Sequence, residues 1–429
     1  MIKINLPELE KERVVIIGGG FAGLALALKL SKLNQYQVVL LDRNNYHQFQ
    51  PLFYQVAMAG LEPSSIVFPF RKIFQKNKNI YIRVTEVTKV NLEKKFLETS
   101  LGICNFDHLV IATGADTNYF GNQKLESLAI SMKTVSEALF LRNAILDDYE
   151  KALSTTDYEE RQEFIDIVVV GGGPTGVEVA GALAEMREYV LPKDYPELDC
   201  KEVDIWLIQG ADSLLKGMSE NASDKAYKFL EKMGVKIKLN SRVLDYTGGW
   251  VEMDDGSRIP AKKVIWAAGV KGAAPFGLPE EVLGNGNRIS VNEFNEVKGY
   301  ENVYAIGDVA AMVSEEYPYG HPQVAQVAIQ QAKNLASNFK NELRNKKKNP
   351  FKYRDLGSMA TIGRNKAVVD LPKFKFSGMF AWMVWLLVHL FQILGVRNKL
   401  IIFFNWVWNY LFYDQSLRLI IRPKINPRK

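Results

Sequence analysis

The chain has 429 residues, 47% hydrophobic and 24% charged, the balance of a globular protein too long for one ordinary core. Its net charge of +6 gathers after Arg344, which argues against a nucleic-acid-binding domain and for a local anionic partner at one end. The two cysteines, Cys104 and Cys200, have neither C-x-x-C nor C-x4-C spacing, which excludes a disulfide framework, a cysteine zinc site and a redox-active pair; no metal site is expected.

Residues Met1 to Arg13 mix charges (Glu8, Lys11, Glu12) and lack an apolar run, so neither a signal peptide nor a transit segment is expected. The apolar run Val14–Ile17 predicts a buried strand. It enters Gly18-Gly19-Gly20-Phe21-Ala22-Gly23, and a helix pattern follows over Leu24–Leu33. A G-x-G-x-x-G turn between strand and helix is the form that holds a dinucleotide pyrophosphate, because side chains there would keep the phosphates from the helix N-terminus. Asp42 closes the next strand, Val38–Asp42, at the offset where a carboxylate accepts from the adenosine ribose. Further strands are expected at Ile80–Val84, Phe96–Thr99 and His108–Ile111. The last runs into the small-residue turn Ala112-Thr113-Gly114, and a polar crossover spans Ala115–Asn122.

A second turn, Gly171-Gly172-Gly173-Pro174-Thr175-Gly176, follows the strand Ile167–Val170. Its unit continues with Val203–Ile208 and with Val264–Trp266, which ends in Ala267-Ala268-Gly269, an echo of 112–114 and so a weak internal repeat. The strand Val203–Ile208 ends in Gln209, where an NADH-preferring site commonly carries an acid. NADH is expected, and NADPH stays open because a neutral amide does not repel a 2′-phosphate. Glu178 is placed in the first helical turn after the glycines. It is either an acid complementing the helix dipole or a carboxylate near the junction of nicotinamide and flavin.

A strand at Val303–Ile306 runs into Gly307-Asp308 and resembles a return to the first unit. Asp308, read at a helix start, is either an N-cap or a partner for flavin ribityl hydroxyls. The expected fold is α/β: two Rossmann-like dinucleotide-binding domains, the second inserted in the first, plus a C-terminal amphipathic-helix membrane anchor. The boundaries fall at 1–121 with 285–345 (FAD), 122–284 (NAD(P)H) and 346–429 (anchor and dimerisation). The candidate FAD contacts are Gly18, Gly20, Phe21, Ala22, Gly23, Asp42, Arg43, Ala112, Thr113, Gly114, Gly307 and Asp308. The candidate nicotinamide-nucleotide contacts are Gly171, Gly173, Pro174, Thr175, Gly176, Gln209 and Gly269.

A helix pattern over Val324–Leu343 leads to the basic linker Arg344–Pro350. Beyond residue 376 the composition turns to tryptophan, phenylalanine, leucine and isoleucine. Gly378–Val396 has nineteen uncharged residues and Leu400–Tyr413 fourteen more. A spanning hairpin would place Arg397 and Lys399 across the membrane, against the positive-inside bias. Two amphipathic helices in the interface fit better. Trp382, Trp385, Trp406 and Trp408 would lie at headgroup depth, and Arg418, Arg422, Lys424, Arg428 and Lys429 near anionic lipid. A buried dimer interface is the other reading of the same apolar residues. His389 is expected to be an interfacial or packing residue.

With these residues the chain resembles the type II NADH:quinone oxidoreductases, single-subunit, non-pumping respiratory NADH dehydrogenases, over nearly its whole length. The resemblance rests on the first glycine turn, Asn45–Ala57, Gly171–Glu178 and Ala305-Ile306-Gly307-Asp308. Its most specific part is Ala325-Gln326-Val327-Ala328-Ile329-Gln330, similar to the family's A-Q-x-A-x-Q quinone motif. Gln326 and Gln330, four apart, share a helix face, so both amides can point at one quinone carbonyl region. The resemblance implies FAD as cofactor, NADH as donor, a membrane quinone as acceptor and a homodimer on the cytoplasmic face of the inner (plasma) membrane. It also implies proton handling by Glu178 and places Lys366 as the basic residue near flavin and quinone. His321–Val324 departs from the family's usual approach to the quinone motif. Two rival readings are a soluble flavin oxidase or reductase serving oxygen or a small redox protein, and a flavin-bound interaction or signalling protein.

Overall fold

The computed structural model describes residues 2–412 and 418–421. In chain order the elements that position the sites begin with β1 (Glu12–Ile17), α1 (Phe21–Leu30), β2 (Tyr36–Asp42), α2 (Phe53–Ala57), β3 (Ile80–Val84) and β4 (His108–Ile111). There follow α3 (Val135–Ser154), β5 (Ile167–Val170), α4 (Pro174–Tyr189), β6 (Ile205–Ile208), β7 (Lys236–Lys238) and β8 (Lys263–Trp266). The chain then forms β9 (Val303–Ala305), α5 (Ala325–Glu342), β10 (Ser358–Gly363), β11 (Lys366–Asp370), α6 (Met379–Gln392) and α7 (Val396–Phe412).

These elements form two compact units. Unit 1 is Met1–Gln48, Val67–Asp116 and Val270–Asp355, and unit 2 is Phe49–Ile66, Thr117–Gly269 and Leu356–Lys429. In unit 1 a parallel five-stranded sheet runs β9-β4-β1-β2-β3, with Val14 in register with Val38 on one side and His108 on the other. Val14 to Ile17 are buried on both faces, as the β-branched run requires of a central parallel strand. Helix α1 packs against α5.

Unit 2 repeats the scheme with the order β7-β6-β5-β8, in which Val168 faces Trp206 and Val264. Here too every residue of the central strand Ile167–Val170 is buried. The antiparallel pair β10–β11 packs on α4, so closely that a side chain at Gly181 would overlap the Ile362 carbonyl. That approach explains a difference from the expected boundaries. Residues from Leu356 onward cluster with the second nucleotide unit instead of standing apart, as do Phe49–Ile66.

Helices α6 and α7 hold 14 and 17 residues, about 21 and 25 Å long, short of a ~30 Å hydrocarbon core. No helix among the described residues is long and apolar enough to cross a membrane. Arg422, Lys424, Arg428 and Lys429 lie outside the described residues.

Candidate active site

In unit 1 each glycine of the first turn has its own steric reason. Gly18, at φ +96°, faces the Ala112 carbonyl, and a side chain on Gly23 would overlap the Gly18 carbonyl, so helix and strand close up only with glycine at both. Gly20 faces open space, with no atom within 4 Å of a Cβ there. The Gly19 N–H donates to Asp42 Oδ2 at 2.6 Å and the Asn44 N–H to Oδ1 at 2.7 Å. Burial pushes the Asp42 carboxyl up, and these two N–H groups oppose that shift. Phe21 meets His47 edge-on at 5.3 Å, Arg43 is exposed, and Ala112 is buried. Thr113 Oγ1 is buried without a hydrogen-bond partner, and Gly114, at φ +75°, faces open space. An open middle glycine and, in the same unit, a buried hydroxyl without a partner fit a dinucleotide, so these residues suit FAD.

Gly307-Asp308 differs from its expected setting. Gly307–Val309 is a single 3-10 turn followed by a strand, so Asp308 does not open a helix. The Gly307 N–H instead donates to Gln331 Oε1 at 2.7 Å, reaching across to α5, and Gln323 Nε2 donates to the Asp308 carbonyl at 3.0 Å. Gln331 carries no signal in the sequence, where the motif ends at its neighbour Gln330.

Gln326 lies in the first turn of α5, half-buried. Gln330 is occupied differently from its expected role: its Nε2 donates to the Arg354 carbonyl at 2.9 Å and its Oε1 accepts the Arg354 N–H at 3.0 Å. One turn on, Asn334 Nδ2 donates to the Asn349 carbonyl at 3.2 Å. Beyond it Asn338 exchanges two bonds with Asn349, at 2.8 and 3.0 Å. The amide face of α5 therefore zips the extended segment that follows it, through Asn349 and Arg354, to the helix, and the basic linker is not loose.

In unit 2 the second turn reproduces the first. Gly171 is at φ +109°, a side chain on Gly176 would overlap the Gly171 carbonyl, and Gly173 faces open space. Pro174 is the first residue of α4, where its fixed φ suits a helix start and its missing N–H costs nothing. The Gly172 N–H donates to Gln209 Oε1 at 2.9 Å, the counterpart of Gly19 on Asp42, and Gln209 Nε2 donates to the Ser213 carbonyl at 3.2 Å. Gly269, at φ +120°, lies under the Phe120 ring.

Unit 2 also holds a cavity of about 130 Å³ whose lining includes Tyr54, Glu178, Glu185, Arg364, Trp406 and Tyr410. Glu178 is in the second turn of α4, not the first, which removes the helix-dipole reading. Glu178, Ala182, Glu185 and Tyr189 form one stripe at helical spacing, all facing the cavity. Burial pushes the Glu178 carboxyl up to about 8, against a hydrogen bond from the Thr361 N–H. Burial also raises Glu185, opposed by the Arg364 N–H it accepts and by the charges of Lys366 and Arg364. This places Lys366 beside Glu185. The Arg364 guanidinium lies 3.9 Å from the Tyr410 ring centre and donates to the Tyr410 carbonyl.

A hydrogen-bonded chain ties α7 to this cavity. Trp406 Nε1 donates to Gln55 Oε1 at 2.8 Å, and Gln55 Nε2 donates to the Tyr54 hydroxyl at 2.7 Å. Burial and the nearby Glu178 push the Tyr54 hydroxyl well above its usual value. Asn409 donates to the Gly60 carbonyl at 3.1 Å and Asn398 to the Ser65 carbonyl at 2.9 Å, so the polar face of α7 is turned to the protein.

The expected tryptophan belt is corrected accordingly. Trp385 is 1% exposed and stacks on His389 at 4.0 Å, Trp382 stacks on Tyr410, and Trp406 is held by Gln55; Trp408 alone of the four is exposed, at 54%. His389 is a packing residue. Its Nδ1 donates to the Trp385 carbonyl at 2.8 Å, and burial lowers its pKa to about 4. The outward face of both helices is apolar, with Phe380, Met383, Leu387 and Phe391 on α6 and Phe403, Phe404, Val407 and Leu411 on α7.

Residues 12–332 match the pyridine nucleotide-disulphide oxidoreductase family, and residues 356–413 match the NDH2 C-terminal domain. The chain is 36% identical to a type II NADH:quinone oxidoreductase of Mycobacterium tuberculosis, over 94% of this chain and 88% of that one. It is 29% identical to a type II NADH:quinone oxidoreductase of Staphylococcus saprophyticus, over 84% and 89%. Its fold is similar to that of NDH2 from Plasmodium falciparum, solved with NADH: TM-score 0.86 at 22% identity, covering 96% of this chain and 100% of that one.

Proposed function

Because the chain belongs to the type II NADH:quinone oxidoreductases, we propose that unit 1 holds its FAD, unit 2 its NADH, and that the electrons leave to a membrane quinone. The enzyme is a flavoprotein oxidoreductase carrying electrons from NADH to quinone. The observation that carries the assignment of residues is the duplicated cradle. In each unit an open middle glycine lies beside a backbone N–H held by the side chain that ends the second strand, Asp42 or Gln209.

FAD, when bound, supplies the two-electron carrier between nicotinamide and quinone. Gly18 and Gly23 let α1 start close to β1, so that the helix N-terminus faces the pyrophosphate; Gly171 and Gly176 do the same for NADH. Gln326 orients the quinone by its amide, while Gln330 acts on α5 as a strap. Glu178, held protonated near neutral pH by its surroundings, keeps a proton at its carboxyl. Lys366 tempers the charge of the neighbouring Glu185. The apolar outer faces of α6 and α7 favour a monotopic position on the cytoplasmic face of the inner (plasma) membrane, with a homodimer as the assembly. They also weigh against an oxidase or reductase serving a soluble acceptor.

Anaerobic mixing of the purified protein with NADH tests this. The flavin absorbance should bleach at once and return on adding a menaquinone or ubiquinone analogue. Gln326→Ala should keep the first step and lose the second. Loss of both steps, or of neither, counts against Gln326 as the quinone contact.

A further inference from the structure

The end of β6 in unit 2 carries no acid. A carboxylate there would bond the 2′-hydroxyl of an adenosine ribose and repel a 2′-phosphate. Gln209 holds the Gly172 N–H as Asp42 holds the Gly19 N–H, but its amide carries no charge to repel a 2′-phosphate. The next residue, Gly210, has no side chain.

The loop after β7 runs alongside this strand end. The Asn240 N–H donates to the Ala211 carbonyl at 3.0 Å, and the Ser241 N–H to the Gln209 carbonyl at 3.1 Å. This pairing sets Arg242 over Gly210, its Cγ 3.5 Å and its Nε 3.9 Å from where a Gly210 Cβ would be. Arg242 is exposed and makes no ion pair among the described residues. Asp212 is 3.9 Å from Lys216, Asp255 pairs with Lys238 at 3.1 Å, and Asp254 Oδ1 accepts the Arg242 backbone N–H at 3.0 Å.

We propose that Arg242, set over Gly210 beside the uncharged Gln209, forms a subsite for a nucleotide 2′-phosphate, so that the enzyme takes NADPH as well as NADH. The inference rests on the reading that unit 2 binds the nicotinamide dinucleotide. The guanidinium is a planar fork that meets a phosphate through two parallel N–H groups, and Gln209 removes the repulsion an acid would supply. Arg242 is a specificity-determining residue and takes no part in the chemistry.

The test is a pair of binding titrations on the FAD-loaded enzyme, NAD+ against NADP+, read by the change in flavin absorbance. The wild-type dissociation constants should agree within about tenfold, and rising salt should weaken NADP+ more than NAD+. Arg242→Gln should raise the NADP+ to NAD+ ratio by about tenfold or more, the size of a lost charge-assisted contact, and Arg242→Lys should restore part of it. A wild-type protein that binds NAD+ and excludes NADP+ overturns the proposal. So does an Arg242→Gln variant that weakens both nucleotides by the same factor, since the side chain would then only support the loop. Failure to bind either nucleotide with FAD in place overturns the reading of unit 2 itself.

Discussion

Glu178 shows how one side chain acquires a function from its surroundings. The unfolded carboxyl has its ordinary value of 4.5, and the folded one about 8. Between these values the folded state binds more protons than the unfolded state, so this group's contribution to stability is full below 4.5 and is lost as pH rises toward 8. Glu178→Gln is expected to flatten that slope, measured as urea midpoints at acid and mildly alkaline pH. It should also remove the limb of the quinone-reduction pH profile that falls near pH 8. The glycines give a second expectation at this scale. Gly176→Ala sets a methyl against the Gly171 carbonyl, so the purified protein should keep its flavin colour while bleaching by NADH slows at least about tenfold. Gly23→Ala, with the same overlap in the other unit, should yield protein depleted of flavin. Both glycines were legible in the sequence, because the motif and its steric cause coincide.

Helix α5 shows that a shared face does not mean a shared task. Gln326 and Gln330 stand one turn apart, yet Gln330 spends both halves of its amide on the backbone of Arg354. The same stripe continues through Asn334 and Asn338 to hold Asn349. Gln330→Ala leaves two backbone groups to find water, and is expected to lower stability by about 1–3 kcal/mol with little change in quinone KM. A large rise in KM without loss of stability would return Gln330 to the quinone site. On α7 the polar residues Asn398, Trp406 and Asn409 bind the body of unit 2, so the helix turns its phenylalanines outward. The sequence shows both faces of this helix, but not which tryptophan belongs to which, because buried and interfacial rings share one composition.

At the scale of the whole molecule, the same α/β unit is built twice from parallel sheets whose central strands are apolar throughout. The C-terminal strands and helices cluster with the second of them. Removing residues 378–429 should release the protein from membranes at low detergent, measured by fractionation, while the flavin stays bound in unit 1. Continued pelleting would mean that the apolar outer faces of α6 and α7 serve contacts between copies instead of lipid.

The sequence by itself determined the two strand-turn-helix cradles, their order along the chain, the absence of a cysteine pair and the apolar end. Each of these is local: a period, a spacing or a composition states it without reference to the rest of the fold. The tertiary structure decided matters between residues far apart in the chain. It buried Glu178 and so raised its carboxyl against the Thr361 N–H that opposes the shift, and it tied Trp406 through Gln55 to Tyr54. It assigned Gln330 to a strap and Gln331 to Gly307. It also laid Arg242 over Gly210. A hydrogen bond or a desolvated charge depends on which backbone lies opposite a side chain, and no periodicity in the chain carries that information.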